Sequence, residues 1–405
     1  MMKISFGHTI LLIFLLTGSL QVIFAADNYD FKYDQLYYRV TNESLKELSV
    51  VPQFDSSPLY ELDNIPNGDI IIPDSLTYNG KNYKVTGIAS FAFPNNSGIT
   101  SIEIGSNITD IEMRAIDRPS DCHTVTVDEK NPAYKSVDDV LFSKDGEKLI
   151  YYPNAKTATH YTIPDGVKSL AYGAIRQNSF LTDLSFPNSL QTIAAYNIYA
   201  LPNLLIIHNL ENTQLNSNEG YSFVRISISS IIFPEGIEIF QRYFLSGCNN
   251  LTEVELPATT KKIAWYSFTG NPLLTTLRCK ATMPPIIPED DHVFEDTDIA
   301  AATLYVPQGS KAAYEAAYGW SDFGTICEDV AVGAETIEAN LTFNIKTAQG
   351  RIIINLKNKH SIRIYNIAGV LMDSIADATG EVTISVKQGV YIVRINDQNL
   401  KVLVE

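Results

Sequence analysis

The sequence predicts an α/β-type solenoid dominated by β structure: a right-handed coil of stacked short parallel strands, followed by a small C-terminal β-sandwich. Three observations carry this expectation. A short apolar-x-apolar element returns at nearly constant spacing, further apolar residues recur at fixed offsets from it, and after residue 340 the period gives way to ordinary strand patterns.

The second apolar position of the element falls at Ile72, Ile104, Val127, Ile163, Phe186, Asn209, Phe233, Leu256, Cys279 and Val306. The steps between them are 32, 23, 36, 23, 23, 24, 23, 23 and 27 residues. A period in this range is the signature of a solenoid, because one turn cannot bury its own apolar residues and must stack on the next. Four residues past the anchor come Ile108, Val167, Leu190, Ile237 and Thr260; seven past it come Ile111, Leu170, Ile193, Phe240 and Ile263. Paired positions such as Ala174-Ile175 and Phe244-Leu245 follow at eleven and twelve, and Cys122, Leu181, Leu204, Leu251 and Leu274 at eighteen. Asn209 breaks the pattern, and the layers behind it slip.

The apolar-x-apolar element has strand period, so its middle residue points out of the coil. Taken turn by turn these residues are Ile71, Glu103, Thr126, Thr162, Ser185, His208, Ile232, Glu255, Arg278 and Tyr305. Repetition places them in one outward column, which is the expected ligand-binding face. Ile71, Ile232 and Tyr305 are unusual at positions facing water, and Tyr is a frequent anchor of recognition surfaces.

The longer steps read as insertions. Asp145-Gly146, between Val140-Leu141-Phe142 and Leu149-Ile150-Tyr151-Tyr152, is a hairpin signal, and Asn79-Gly80 reads as a turn inside the 32-residue step. Short strand-like runs such as Tyr37-Tyr38-Arg39-Val40 predict an N-terminal cap. Ser310, an Ala-rich run to Tyr318 and then Gly319 predict a short closing helix.

Leu181-Thr182-Asp183-Leu184-Ser185-Phe186-Pro187, Leu251-Thr252-Glu253-Val254-Glu255-Leu256-Pro257 and Phe244-Leu245-Ser246-Gly247-Cys248-Asn249-Asn250-Leu251 resemble the BspA-like leucine-rich repeats of bacterial surface proteins. The resemblance implies adhesion or contact with a host protein. Ile364-Tyr365-Asn366-Ile367-Ala368-Gly369 and Gly389-Val390-Tyr391-Ile392-Val393-Arg394 resemble the C-terminal (Por) sorting domain of type IX secretion. Lys3, the apolar run Ile10 to Leu16 and the small residues before Asp27 have the layout of a secretory signal peptide. The expected divisions are therefore a signal peptide over 1–25, a cap over 26–66, the solenoid with its closing helix over 67–327, a linker over 328–339, and the sorting-domain-like tail over 340–405.

Lys and Arg total 30 against 46 Asp and Glu, giving a net charge of -16. That balance argues against a broad footprint on nucleic acid or anionic membrane. The four Cys are too few for a disulfide scaffold in a chain this long. Cys122 and Cys279 occupy layer positions, and a Cys279–Cys327 pairing is left open. The His residues lack metal-ligand spacing, and the acidic run from Glu289 to Asp298 lacks the Gly and ligand spacing of a calcium loop. No catalytic motif, metal site or cofactor is expected. The leading expectation is an exported, monomeric, non-enzymatic scaffold at the cell surface of a bacterium, or secreted from it, without a membrane-spanning segment, that recognises an extracellular protein or glycan. A structural envelope or matrix protein and, further off, a glycan-processing enzyme are the alternatives.

Overall fold

Each turn carries one strand whose inward residues are apolar, and stacking satisfies both the strand's hydrogen bonds and its apolar face. A computed structural model describes residues 12–13, 22–23, 26–94, 98–329, 343–348, 350–366, 371–387, 389–395 and 398–404. Most of the expected signal peptide, and the linker from 330 onward, lie outside the described residues. The chain divides into two units, Met1–Asp329 and Val330–Glu405.

The first unit is a β-solenoid of about ten turns with little helix. Its anchor strands stack in three parallel ladders. Gly68–Ile71, Ile99–Ile104 and Thr124–Val127 form the first, and His160–Thr162, Asp183–Ser185 and Ile206–His208 the second. Ser230–Ile232, Glu253–Leu256, Thr276–Cys279, Thr303–Pro307 and Thr325–Asp329 form the third. Two-residue strands such as Ser169–Leu170 and Thr192–Ile193 build a second parallel series seven residues past each anchor.

The anchors Ile72, Ile104, Ile163, Phe186, Phe233, Leu256, Cys279 and Val306 are buried and Val127 half-buried; the layers behind them are buried except at Ile111, which is half-buried. At the slipped turn Asn209 adopts a left-handed conformation (φ 64°), and its Nδ2 donates to the Phe186 carbonyl and to Asn188. A polar residue thus holds an apolar position by capping backbone, while Leu210 and Leu215 take over the packing.

Turns inside a coil would bury unpaired backbone groups, each costing about 1–3 kcal/mol. Buried asparagines prevent this. Asn178 donates to the carbonyls of Pro153 and Lys156 and accepts from the amides of Phe180 and Leu181. Asn271 donates to Leu245 and Phe268 and accepts from the Cys248 amide.

Asn79 and Gly80 both have positive φ (49° and 73°) and join the antiparallel strands Ser75–Tyr78 and Lys81–Ile88, the geometry of a two-residue hairpin. The second insertion is the antiparallel set Tyr134–Val137, Val140–Ser143 and Lys148–Tyr151. At the N-terminus, Phe31–Tyr33, Leu36–Asn42 and Glu47–Val51 form the antiparallel cap sheet. At the other end the helix Lys311–Glu315 packs Tyr314 and, beyond it, Trp320 over the last turns. Ser310 does not cap this helix through its side chain, because its Oγ donates to the Thr282 carbonyl instead.

All four Cys are free thiols. Cys279 faces inward, where its Sγ accepts from the Tyr314 hydroxyl at 3.2 Å, whereas Cys327 pairs in register with outward Tyr305. Strand alternation therefore puts the two on opposite faces, and the Cys279–Cys327 pairing left open by the sequence is absent.

The second unit is a small antiparallel sheet. The strands expected at Ile352–Ile354 and Ile362–Tyr365 are one long strand, Arg351–Asn366, whose register shifts between Leu356 and Ile362. It pairs with Phe343–Ala348, Leu371–Ser385 and Gly389–Ile395, and Gln398–Val404 closes the far edge. Ile352, Ile354, Leu356, Ile362, Ile364 and Val393 share one core. The turn expected at Asn366-Ile367-Ala368-Gly369 lies beyond Asn366 outside the described residues.

The register makes a direct prediction. Leu251 is fully buried, so Leu251→Ala is expected to cost about 2–5 kcal/mol. Glu255 is half-exposed on the outer face and ion-paired with exposed Lys280 at 2.5 Å, so Glu255→Ala is expected to stay within about 0.5 kcal/mol. Equal losses of melting temperature in the two variants would refute the register.

Candidate recognition site

The outward strand residues form columns only where backbone pairing puts them opposite one another. Ile71 pairs with Glu103, and Glu103 with Thr126; Thr162 pairs with Ser185, and Ser185 with His208. Ile232, Glu255, Arg278 and Tyr305 pair in succession. The ten positions therefore fall into three in-register runs, with no strand pairing between Thr126 and Thr162 or between His208 and Ile232. The first gap is made by the inserted hairpin, the second by the slipped turn.

Exposure differs along the column. Ile71 is 65% exposed and Ile232 46%, with Glu103, Thr126, Thr162 and His208 also exposed. Tyr305 is half-buried because the Arg278 guanidinium lies 4.3 Å from its ring centre, held there by Glu253 and Asp329. A second outward column stands two residues earlier. In it Asp183 stands beside His160 at 3.4 Å, and His208 of the first column approaches it diagonally at 3.6 Å. Asp69 accepts from Ser101 and Thr100, which lowers its pKa.

Two further features of the first unit escaped the sequence reading. One is a stack of aromatic rings on consecutive turns: Tyr196, Tyr221, Tyr243, Tyr266 and His292, with centroids 4.6, 5.0, 5.0 and 5.5 Å apart and planes within 20° of parallel. Tyr172 joins at 5.3 Å with a tilted ring. The tyrosines are visible in the sequence near ten residues past each anchor, but the reading followed apolar layers alone. The other is a cleft of about 620 Å³ where the hairpin interrupts the second strand series, lined by Glu112, Met113, Arg114, Tyr134, Thr192 and Glu219 among others. Beside it three arginines surround Asp117. Arg176 Nη2 approaches the carboxylate at 3.0 Å, Arg114 Nη2 at 3.3 Å and Arg118 Nε at 3.7 Å.

Among the described residues no group of three or more His, Cys, Asp or Glu is placed to hold a metal ion, and no helix is long and apolar enough to cross a membrane. Burial pushes the thiols of Cys122 and Cys279 up to about 11 and that of Cys248 to about 12.

The profile of the BspA type leucine rich repeat region matches residues 59–154, 147–275 and 174–301, well over half the chain. That of the secretion system C-terminal sorting domain matches residues 347–405. No curated protein sequence matches significantly. Among solved structures, the chain is similar to the pneumococcal vaccine antigen PcpA, with 16% identity, 74% of this chain and 98% of that chain covered, and a TM-score of 0.49. It is also similar to a leucine-rich repeat protein from Bacteroides ovatus, with 15% identity, 74% and 88% coverage, and a TM-score of 0.35. A leucine rich cell surface protein from Faecalibacterium prausnitzii gives 16% identity, 76% and 96% coverage, and a TM-score of 0.31. With repeats of this type through its first unit and a sorting domain at its end, the chain belongs to the BspA-type leucine-rich repeat family and is a bacterial protein secreted or displayed at the cell surface through type IX secretion.

Proposed function

We propose that the solenoid is a non-enzymatic recognition scaffold that presents its outward strand face to an extracellular protein or glycan. The observation that carries this reading is the in-register alignment of outward side chains on the paired strands, with Ile71 and Ile232 exposed among them. A stiff parallel ladder holds these residues at fixed spacing, so little order has to be gained on binding. The thiols support the non-catalytic part. A nucleophilic Cys needs a lowered pKa and access, whereas Cys122, Cys248 and Cys279 are buried with raised pKa values.

The test is a binding screen of the purified full chain against host extracellular-matrix proteins and a glycan array. For the ligand found, Ile232→Asp combined with His208→Ala is expected to weaken binding at least about tenfold, ~1.4 kcal/mol. Unchanged affinity would remove this face from consideration.

A further inference from the structure

The aromatic stack is built at a conformational cost. Tyr196, Tyr221, Tyr243, Tyr266 and His292 all have φ between 47° and 61°, and their counterparts Phe91 and Arg114 are left-handed too, at 61° and 64°. A bulky residue held there is strained, whereas Gly would adopt the same corner freely. The corner itself is fixed by the coil: the amides of Tyr221, Tyr243 and Tyr266 donate to the carbonyls of Arg242, Trp265 and Asp291, each one residue before the next member of the stack. The backbone therefore demands the left-handed turn, and only the side chain is open to choice. Tyr stands there on four consecutive turns.

Stacking explains the rings but leaves the hydroxyls unexplained. Phe would stack as well. The hydroxyls of Tyr172, Tyr196, Tyr221 and Tyr243 have no hydrogen-bond partner among the described residues, and all four side chains are half-exposed. The ring faces are occupied by one another and by guanidinium groups, Arg242 at Tyr221 and Arg114 and Arg176 at Tyr172, so a ligand meets ring edges and a row of hydroxyls, one per turn. At one end of the row stands Trp265, 47% exposed beside Tyr266 at 5.6 Å. At the other end Tyr172 forms part of the wall of the cleft, together with Ser169, Thr192, Glu112 and Glu219.

We infer that this row is a second recognition face, distinct from the strand column, and that it takes a linear β-1,4-linked glycan lying along the solenoid axis. A row of hydroxyl-bearing rings whose centres follow one another every 4.6 to 5.3 Å selects a polymer with the same repeat. A β-1,4-linked pyranose chain in its extended form advances per sugar by a length within this range, with successive sugars turned over, so each rung meets one sugar and every second rung meets an equivalent sugar edge. An extended peptide advances about 3.3 Å per residue and falls out of step. The exposed Trp265 offers a ring for a sugar to stack on, and the hydroxyl and carboxylate groups of the cleft suit the end of a polyol chain.

The experiment is calorimetric titration of the full chain with cellohexaose, xylohexaose and mannohexaose, with α-linked maltohexaose, which coils, as the control. At least one β-1,4 hexaose is expected to bind, its disaccharide far more weakly, and maltohexaose not measurably. The double variant Tyr221→Phe with Tyr243→Phe keeps the stack and is expected to lose about fivefold in affinity per hydroxyl at unchanged melting temperature. Trp265→Ala is expected to weaken binding independently. Ile232→Asp, on the strand column, is expected to leave hexaose binding untouched, which separates this inference from the proposed use of that face. Absence of binding by all three β-1,4 hexaoses, equal binding of maltohexaose, or affinity indifferent to both the Phe and the Trp265 variants would overturn it.

Discussion

Replacing Asp117 by Ala is expected to cost about 3–5 kcal/mol and to lower the melting temperature of the solenoid by about 6–15 °C. Asp117 is 3% exposed and Arg176 5%, and the two stand at the same place in their turns, thirteen residues past Ile104 and Ile163. The inserted hairpin separates those turns in sequence, and the second strand series is not paired across it. The ion pair is therefore one of the few polar ties spanning the interruption. Burial pushes the pKa of Arg176 down, opposed by the neighbouring Asp117 carboxylate. Without that carboxylate, a buried guanidinium faces those of Arg114 and Arg118 with no counter-charge. The double variant Asp117→Leu with Arg176→Met removes both charges and is expected to regain much of the loss, since a buried pair replaced by apolar groups is often neutral. Thermal unfolding followed by circular dichroism measures both. An Asp117→Ala protein melting within a degree of the parent would show that the pair contributes nothing.

What could be read from the sequence follows from how a solenoid is made. Residues at equal offsets meet because turns stack, so Leu181, Leu204, Leu251 and Leu274 could be placed in one layer without coordinates, and all four are buried. The hairpins at Asn79-Gly80 and Asp145-Gly146 were legible because their turns demand residues that tolerate positive φ. The Asp117–Arg176 contact was not, since 59 residues and an insertion of unknown path lie between the partners. The buried asparagines escaped for a different reason. Asn178 and Asn271 satisfy backbone groups whose need is set by the exact course of the chain, and nothing in an Asn distinguishes such a role from a surface loop. The tyrosine row lies outside the apolar layers: Tyr196, Tyr243 and Tyr266 come ten residues after their anchors, with Tyr172 at nine and Tyr221 at twelve, and half-exposed rings carry no burial pattern to mark them. For the candidate face, alternation settled which residues point outward. It did not foresee that Arg278 would cover Tyr305, because that depends on Asp329 in the next strand.

A chain ending at Asp329 is expected to fold with nearly the melting temperature of the full protein and yet to be lost from the cell surface. The solenoid closes itself. Its last strand, Thr325–Asp329, pairs along its whole length with Thr303–Pro307, and Asp329 completes the clamp on Arg278. Trp320 is fully buried with its indole N–H donating to the Pro285 carbonyl at 2.8 Å, and Tyr314 is buried beside it with its hydroxyl on the Ala281 carbonyl. The apolar end layer is thus covered before residue 330, and capping of this kind is what a solenoid needs to stand alone. The sorting domain matches residues 347–405, all beyond the truncation, and export through type IX secretion depends on that signal. Thermal melting of the purified truncation and surface labelling of intact cells make the two measurements separable. A melting temperature many degrees lower would mean that the solenoid draws stability from the C-terminal residues. Normal surface labelling of the truncated chain would mean that residues 330–405 are not the export address, whatever the stability of what remains.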